Sequence, residues 1–166
     1  MNVFLIAAVT ADGFIGRHAT HTADWTSKED KKIFTALTKQ AGVMVMGSRT
    51  FQTIGRALPE RRTIVLTSRP EEISVDGVET TNESPQELVA RLAAEGVTSL
   101  AVCGGATVYA QFMLSGLVTD LYLTIEPLLF GTGVPLFASE LAVDLQLASF
   151  EKLNENAVLL HYTVTR

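Results

Sequence analysis

Apolar residues in the first two thirds of this chain come in short unbroken runs. Residues 3–9 (Val-Phe-Leu-Ile-Ala-Ala-Val) carry no polar side chain, the pattern of a strand buried on both faces. Residues 43–46 repeat it in shorter form, and 63–66 and 99–103 do so after an opening Thr63 and Ser99. Segments of helical character lie between these runs. One starts at Thr26-Ser27-Lys28-Glu29, where Thr26 and Glu29 stand at capping-box spacing. It places Asp30, Ile33, Phe34 and Leu37 on one face and Lys28, Lys31, Lys32 and Lys39 largely on the other, and Gly42 ends it. A second covers 48–54, with a turn over 55–59. A third opens on Ser84-Pro85-Gln86-Glu87, an N-cap serine, a proline at the first position and an acid at the third, and runs to Glu95 before Gly96. A fourth covers 106–114.

The last third changes character. Residues 121–125, 145–153 and 157–165 read as long strands with only turns between them, and a weak edge strand is expected around 77–80. Parallel βα units followed by antiparallel strands predict an α/β fold. Its central sheet is mixed, mostly parallel and about eight strands wide, with flanking helices and an antiparallel C-terminal portion. The length of 166 residues suits one domain over 1–166.

Composition narrows the function. Thirteen basic against 18 acidic residues give a net charge of −5, and no basic stripe offers itself to nucleic acid. A phosphate-bearing ligand must therefore be held by local cations and backbone amides. The single cysteine, Cys103, excludes an intramolecular disulfide and a cysteine-rich zinc site. His18, His21 and His161 lack metal-ligand spacing, and the first two, in a polar loop over 17–24, read as solvated, so no metal is expected. No basic n-region precedes the first strand and no apolar run nears the ~20 residues that span a bilayer. The chain reads as cytoplasmic, without a membrane partner.

Three strand ends carry anion-binding chemistry. Val102-Cys103-Gly104-Gly105-Ala106 joins a buried strand to a helix start, where unpaired amides and a positive dipole end suit a diphosphate, and glycine removes the Cβ that blocks close approach. Gly47-Ser48-Arg49-Thr50 is a second such turn, and Thr67-Ser68-Arg69 closes a third strand with hydroxyls and a cation. Together they outline one crevice at the carboxyl edge of an open sheet. Asp30 is the acid on the apolar face of the first helix. It either complements the helix dipole or sits partly desolvated beside Ile33 and Phe34 and needs a hydrogen-bonding partner, such as a heterocycle with an amidine-like N–H pair. Trp25 reads as a hydrophobic staple for that helix or as part of the same site.

Taken together these residues resemble the dihydrofolate reductase family. The resemblance is densest over Val45 to Pro70, from Val45-Met46-Gly47-Ser48-Arg49-Thr50 through Leu58-Pro59-Glu60-Arg61-Arg62 to Thr67-Ser68-Arg69-Pro70, and over Cys103-Gly104-Gly105-Ala106-Thr107-Val108-Tyr109 and Leu121-Tyr122-Leu123-Thr124. Leu5-Ile6-Ala7-Ala8, Asp12 and Ile15-Gly16 are similar to the family's first strand and mobile loop. The resemblance implies NADPH as cofactor and 7,8-dihydrofolate as small-molecule substrate, in a step of one-carbon metabolism, by a monomer or homodimer. It implies that Asp30 pairs with the pterin ring, that Thr124 supports it, and that Trp25 contacts the region through water. Ile6, Ala8, Phe34, Ile54 and Leu58 then line the substrate, and Arg61 holds the carboxylate of its glutamate tail. Ala8, Ile15 and Gly16 fall to the nicotinamide carboxamide, and Gly47, Ser48, Arg49, Thr50, Thr67, Ser68 and Arg69 to the rest of the dinucleotide, with the 2′-phosphate near Ser68 and Arg69. Cys103 to Tyr109 (Gly104, Gly105, Ala106, Thr107, Val108) complete the groove, with Tyr109 beside the nicotinamide and a cis Gly104–Gly105 peptide.

Departures matter too. The 17–24 loop is about two residues longer than the family's mobile loop, and Asp24-Trp25 replaces its Pro-Trp pair. Ser48 stands where an arginine is common. Residues 126–137 are similar instead to the reductase domain of riboflavin biosynthesis, a relative with the same fold and cofactor, which keeps reduction of a ribosylaminopyrimidine phosphate as a second reading. A nucleotide-binding module without catalysis is the third, and the presence of Asp30 and the glycine pair weighs against it.

Overall fold

The computed structural model describes residues 1–165. In chain order the elements are β1 (Asn2–Thr10), β2 (Phe14–Gly16), α1 (Lys28–Ala41), β3 (Val43–Gly47), α2 (Ser48–Ile54), β4 (Arg62–Leu66) and β5 (Val78–Thr81). They continue as α3 (Pro85–Ala94), β6 (Ser99–Val102), α4 (Ala106–Leu114), β7 (Asp120–Glu126), β8 (Val134–Pro135), β9 (Asp144–Lys152) and β10 (Val158–Thr165). Eight strands form one sheet in the order β5-β4-β3-β6-β1-β7-β10-β9, and β2 pairs with β8 separately. All pairings from β5 to β7 are parallel, while β10 runs antiparallel to both β7 and β9. The mixed sheet with an antiparallel C-terminal portion is the one expected.

The unbroken apolar runs split by alternation. Val3, Leu5 and Ala7 of β1, with Val43 and Val45 of β3, face Leu88 and Leu92 of α3 and Val108 and Phe112 of α4. Phe4, Ile6, Met44 and Met46 face the other way, toward Phe51 of α2 and the apolar stripe Ile33, Phe34 and Leu37 of α1. Burying both faces is why no polar residue interrupts these strands. Edge strand β9 is exposed along its whole length.

Local details depart from expectation at three places. The cap of α1 is Ser27, whose Oγ accepts the Asp30 N–H at 3.2 Å, and no Thr26–Glu29 capping box forms. The reason is competition: the Thr26 hydroxyl donates to Ala23 O of a short 3₁₀ turn, and the Glu29 carboxylate accepts from Asn154 Nδ2. At α3 the reciprocal box between Ser84 and Glu87 is complete. Trp25, two residues before the Ser27 cap, lies outside the staple position; its ring packs edge-on against Phe130 at 5.2 Å instead. The β2–β8 pair, too short to read from sequence, closes where a Cβ on Gly133 would lie 2.4 Å from the Gly16 carbonyl oxygen, so only glycine fits there.

Candidate functional site

A cleft of about 1270 Å³ opens along the carboxyl ends of β1, β3, β4 and β6. Single small-ligand sites typically run ~300–1,000 Å³, so this one has room for two ligands side by side. Its residues divide into two walls.

The first wall is built from strand-to-helix turns. Cys103 N donates to Val45 O and Gly47 N to Gly104 O, each at 2.8 Å, locking the β3 and β6 ends together. The Gly104–Gly105 peptide is cis, and Gly104 has φ +112°. A Cβ on Gly104 would stand 3.3 Å from the Tyr109 hydroxyl, and one on Gly105 3.2 Å from Thr50 Oγ1, so side chains there would press on the turn. The Tyr109 hydroxyl, buried, donates to Ile6 O at 2.6 Å and ties α4 to β1. Helices α2 and α4 both begin at this wall, and neither has a capping side chain or an acid in its first turn. The helix starts at Ser27 and Ser84, by contrast, are capped. The positive ends left open suit an anionic group.

Gly47, Ser48, Arg49, Thr50, Thr67 and Ser68 all line this part, as do Ala8, Ile15, Gly16 and the run Cys103, Gly104, Gly105, Ala106, Thr107, Val108 and Tyr109. Arg69 does not: it is exposed and pairs with Glu72 at 3.3 Å. Burial pushes the Cys103 thiol far up, so it is a neutral packing group and weak donor to Ala101 O.

The second wall is formed by α1, α2 and the turn before β4. Phe34, Ile54 and Leu58 supply its apolar surface, with Ile6 at its floor. Asp30 lies on it, half-buried, and the Thr124 hydroxyl of β7 hydrogen-bonds its carboxylate. Burial raises the Asp30 pKa above the ordinary carboxylate value; the Thr124 bond opposes this, the charge of Glu126 adds to it, and Lys31 opposes it. Thr124 itself is behind the wall, 1% exposed, reaching the cleft only through Asp30.

Arg61 stands at the far end. Its Nε donates to Pro59 O at 2.9 Å and its Nη1 to the buried Thr38 hydroxyl at 2.8 Å. Nη2 makes no hydrogen bond within the described residues. Glu60, the one non-glycine among them with a left-handed φ (65°), pairs with Lys39 of α1 and fixes this turn.

Several participants escaped the sequence reading. His18 is exposed, as read, but His21 is not simply solvated. Both line the cleft mouth, where the ring of His21 is only 19% exposed and its Nδ1 accepts the Arg17 N–H. Lys31 folds back so that its Nζ reaches Thr26 O and Oγ1, and it too lines the cleft. Trp25 Nε1 is buried with no partner. Glu126, 3% exposed, sits one strand pleat beyond Thr124 on the same face of β7; an acid at an inward strand position was the available signal. No cluster of potential metal ligands occurs among the described residues, and none of their helices is long and apolar enough to cross a membrane.

Comparison with known proteins agrees with this geometry. The chain is 40% identical to dihydrofolate reductase HdrB of Haloferax volcanii over 118 residues, 66% of this chain and 58% of that protein, and so spans under two thirds of that relative's length. Among solved structures it superposes on the Enterococcus faecalis dihydrofolate reductase complexed with NADP(H) and RAB-propyl, with TM-score 0.79, 26% identity, and 99% and 97% of the two chains covered. A putative riboflavin biosynthesis protein from Shewanella sp. PV-4 matches with TM-score 0.81 over all of both chains at 22% identity, a likeness of fold. The sequence model described as dihydrofolate reductase matches residues 2–127, and the chain belongs to the dihydrofolate reductase family.

Proposed function

We propose that this chain reduces 7,8-dihydrofolate to tetrahydrofolate with NADPH, with a hydride arriving at C6 of the pterin and a solvent proton at N5. The observation that carries the reading is the second wall. A half-buried carboxylate backed by Thr124 stands at one end, an arginine with an unused Nη2 at the other, and Phe34, Ile54 and Leu58 between them. A pterin with a flat N–H pair, an aromatic linker and a carboxylate tail has those three chemistries in that order.

The first wall fits the cofactor. Two uncapped helix starts suit its diphosphate, and the glycine pair leaves space where a Cβ would intrude. Ser68 and Arg49 offer donors to a 2′-phosphate, with exposed Arg69 able to swing in from its weak pair with Glu72. When bound, NADPH supplies the hydride. The chain supplies position and field. Asp30 accepts from the ring N–H pair and holds the ring flat against the cofactor wall. Its negative charge, set in apolar surroundings, favours a proton on N5. The buried Trp25 Nε1 has a donor to spare for a water at the same ring edge. Phe34, Ile54 and Leu58 exclude bulk water, and Arg61 takes the tail carboxylate through Nη2.

A second reading, reduction of a ribosylaminopyrimidine phosphate, is supported by the fold likeness to riboflavin-pathway proteins and by the character of 126–137. It leaves the apolar stretch between Asp30 and Arg61 without a use, because a ribose phosphate has no aromatic linker to fill it. Following NADPH absorbance with each substrate decides between them. Turnover of dihydrofolate is expected, and turnover of the pyrimidine alone would overturn the folate reading.

A further inference from the structure

Two acids meet at the head of α1, and the reading above uses only one. Glu126 is a carboxylate 3% exposed at the end of β7. Its Oε1 accepts from both Ser27 N, at 3.1 Å, and Ser27 Oγ, at 2.7 Å. The same Ser27 Oγ accepts the Asp30 N–H at 3.2 Å. A hydrogen-bonded chain therefore runs from Glu126 through the helix cap to the backbone of Asp30. Two residues earlier on the same face of β7, Thr124 bonds the Asp30 side chain. β7 thus grips Asp30 twice, at the backbone through Glu126 and at the carboxylate through Thr124.

A serine cap needs no buried acid behind it. Ser84 caps α3 with help from Glu87 of its own helix, in solvent. At α1 the reciprocal acid comes instead from another element, 99 residues away in sequence, and it is desolvated. Burying a carboxylate is costly unless donors offset the lost water, and the two donors to the Glu126 carboxylate among the described residues, N and Oγ, both come from the Ser27 cap.

We propose that Glu126 is a positioning residue of this site, fixing Asp30 in register with Thr124 through the Ser27 cap while facing it with a second negative charge. The proposal rests on the assignment of Asp30 as the ring-binding acid. Charged and titratable groups facing Asp30 are Glu126 from β7, Lys31 from α1 and the Tyr109 phenol from α4. Lys31 Nζ is held by Thr26, so Glu126 is the group whose removal changes the balance most simply. Its charge disfavours ionisation of Asp30, in the same direction as burial.

Glu126→Gln separates the two effects, because the amide oxygen still accepts from Ser27 while the charge is gone. The test titrates the Asp30 carboxyl by ¹³C NMR, its resonance identified by its loss in Asp30→Asn, in the wild type and in Glu126→Gln. The midpoint should move to lower pH in Glu126→Gln, and the pH profile of kcat with NADPH and dihydrofolate should move the same way. Ser27→Ala keeps the charge and breaks the link; it should lower kcat roughly tenfold or more while leaving the KM for NADPH in place. It also keeps the question open to test if Glu126→Gln fails to fold. An unmoved Asp30 midpoint in Glu126→Gln, or wild-type kcat in Ser27→Ala, overturns the proposal. The NMR titration needs no turnover. If the wild type does not reduce dihydrofolate, the functional reading falls while the titration still decides the role of Glu126.

Discussion

Replacing Tyr109 with phenylalanine removes one oxygen from the interior and tests how the cleft wall is held. The ring is 4% exposed and packs near Phe137 at 6.3 Å between centroids, and these contacts survive the change. What is lost is the 2.6 Å hydrogen bond to Ile6 O. The β1–β6 ladder ends at the Leu5–Val102 pair, so beyond it the Ile6 carbonyl depends on the tyrosine hydroxyl. Leaving a buried acceptor unpaired costs about 1–3 kcal/mol, and the unchanged ring adds no cavity term. For a chain of this size each kcal/mol corresponds to roughly 2–4 °C in Tm, which gives a fall of about 2–12 °C. Urea unfolding should show a lower midpoint with an unchanged m value, since the surface exposed on unfolding is the same. A loss under about 0.5 kcal/mol would mean that the carbonyl finds water in the cleft. The hydroxyl would then not be what joins α4 to β1.

Other changes separate the roles of the two walls. Asp30→Asn should cut kcat with dihydrofolate by about 10²–10⁴-fold at neutral pH while raising stability. The sign follows from the raised pKa: the folded chain binds the Asp30 proton more tightly than the unfolded one, so the wild type loses stability as pH rises from the ordinary value of 3.8 through the folded value. The Tm advantage of Asp30→Asn should thus be present at pH 7 and vanish near pH 3; equal Tm differences at both would refute the desolvation account. Arg61→Ala should raise KM for dihydrofolate by about 10–100-fold, the loss of a charge-assisted bond, and leave KM unchanged for a pterin without a glutamate tail. Gly105→Val, whose Cβ would already sit 3.2 Å from Thr50 Oγ1, should weaken NADPH binding at least tenfold in a fluorescence titration.

The parallel core of the fold was legible because its strands are buried on both faces. An unbroken apolar run at a strand's length between helical segments admits few other readings, and β1, β3, β4 and β6 all came through within a residue or two. The first wall of the cleft was legible for a related reason: its groups follow directly on those strands, so the position of Gly47–Thr50 and Gly104–Tyr109 is fixed by elements already found. Arg69 marks where this stops. It comes three residues after β4, and the Pro70–Glu72 turn carries it out to Glu72, away from the wall.

The parts that stayed hidden are those set by contacts between distant segments. Thr26 and Ser27 are equally good caps in isolation, and the choice of Ser27 is made by Glu126, Asn154 and the 3₁₀ turn, none of them local to the helix. The same holds for Asp30. On its own helix it is an acid in a first turn, at home with the dipole and free to be ionised. Burial against the rest of the fold changes its character most, and two residues of β7 then act on the buried group. Thr124 gives its carboxylate a donor, and Glu126 sets a charge against it. A residue's place can be read from the pattern of its own segment, but its acidity is set by the burial and the neighbours that the rest of the fold brings to it. Here β7 supplies both a hydroxyl that supports the carboxylate and a charge that opposes it, on a group that burial already holds above its ordinary pKa.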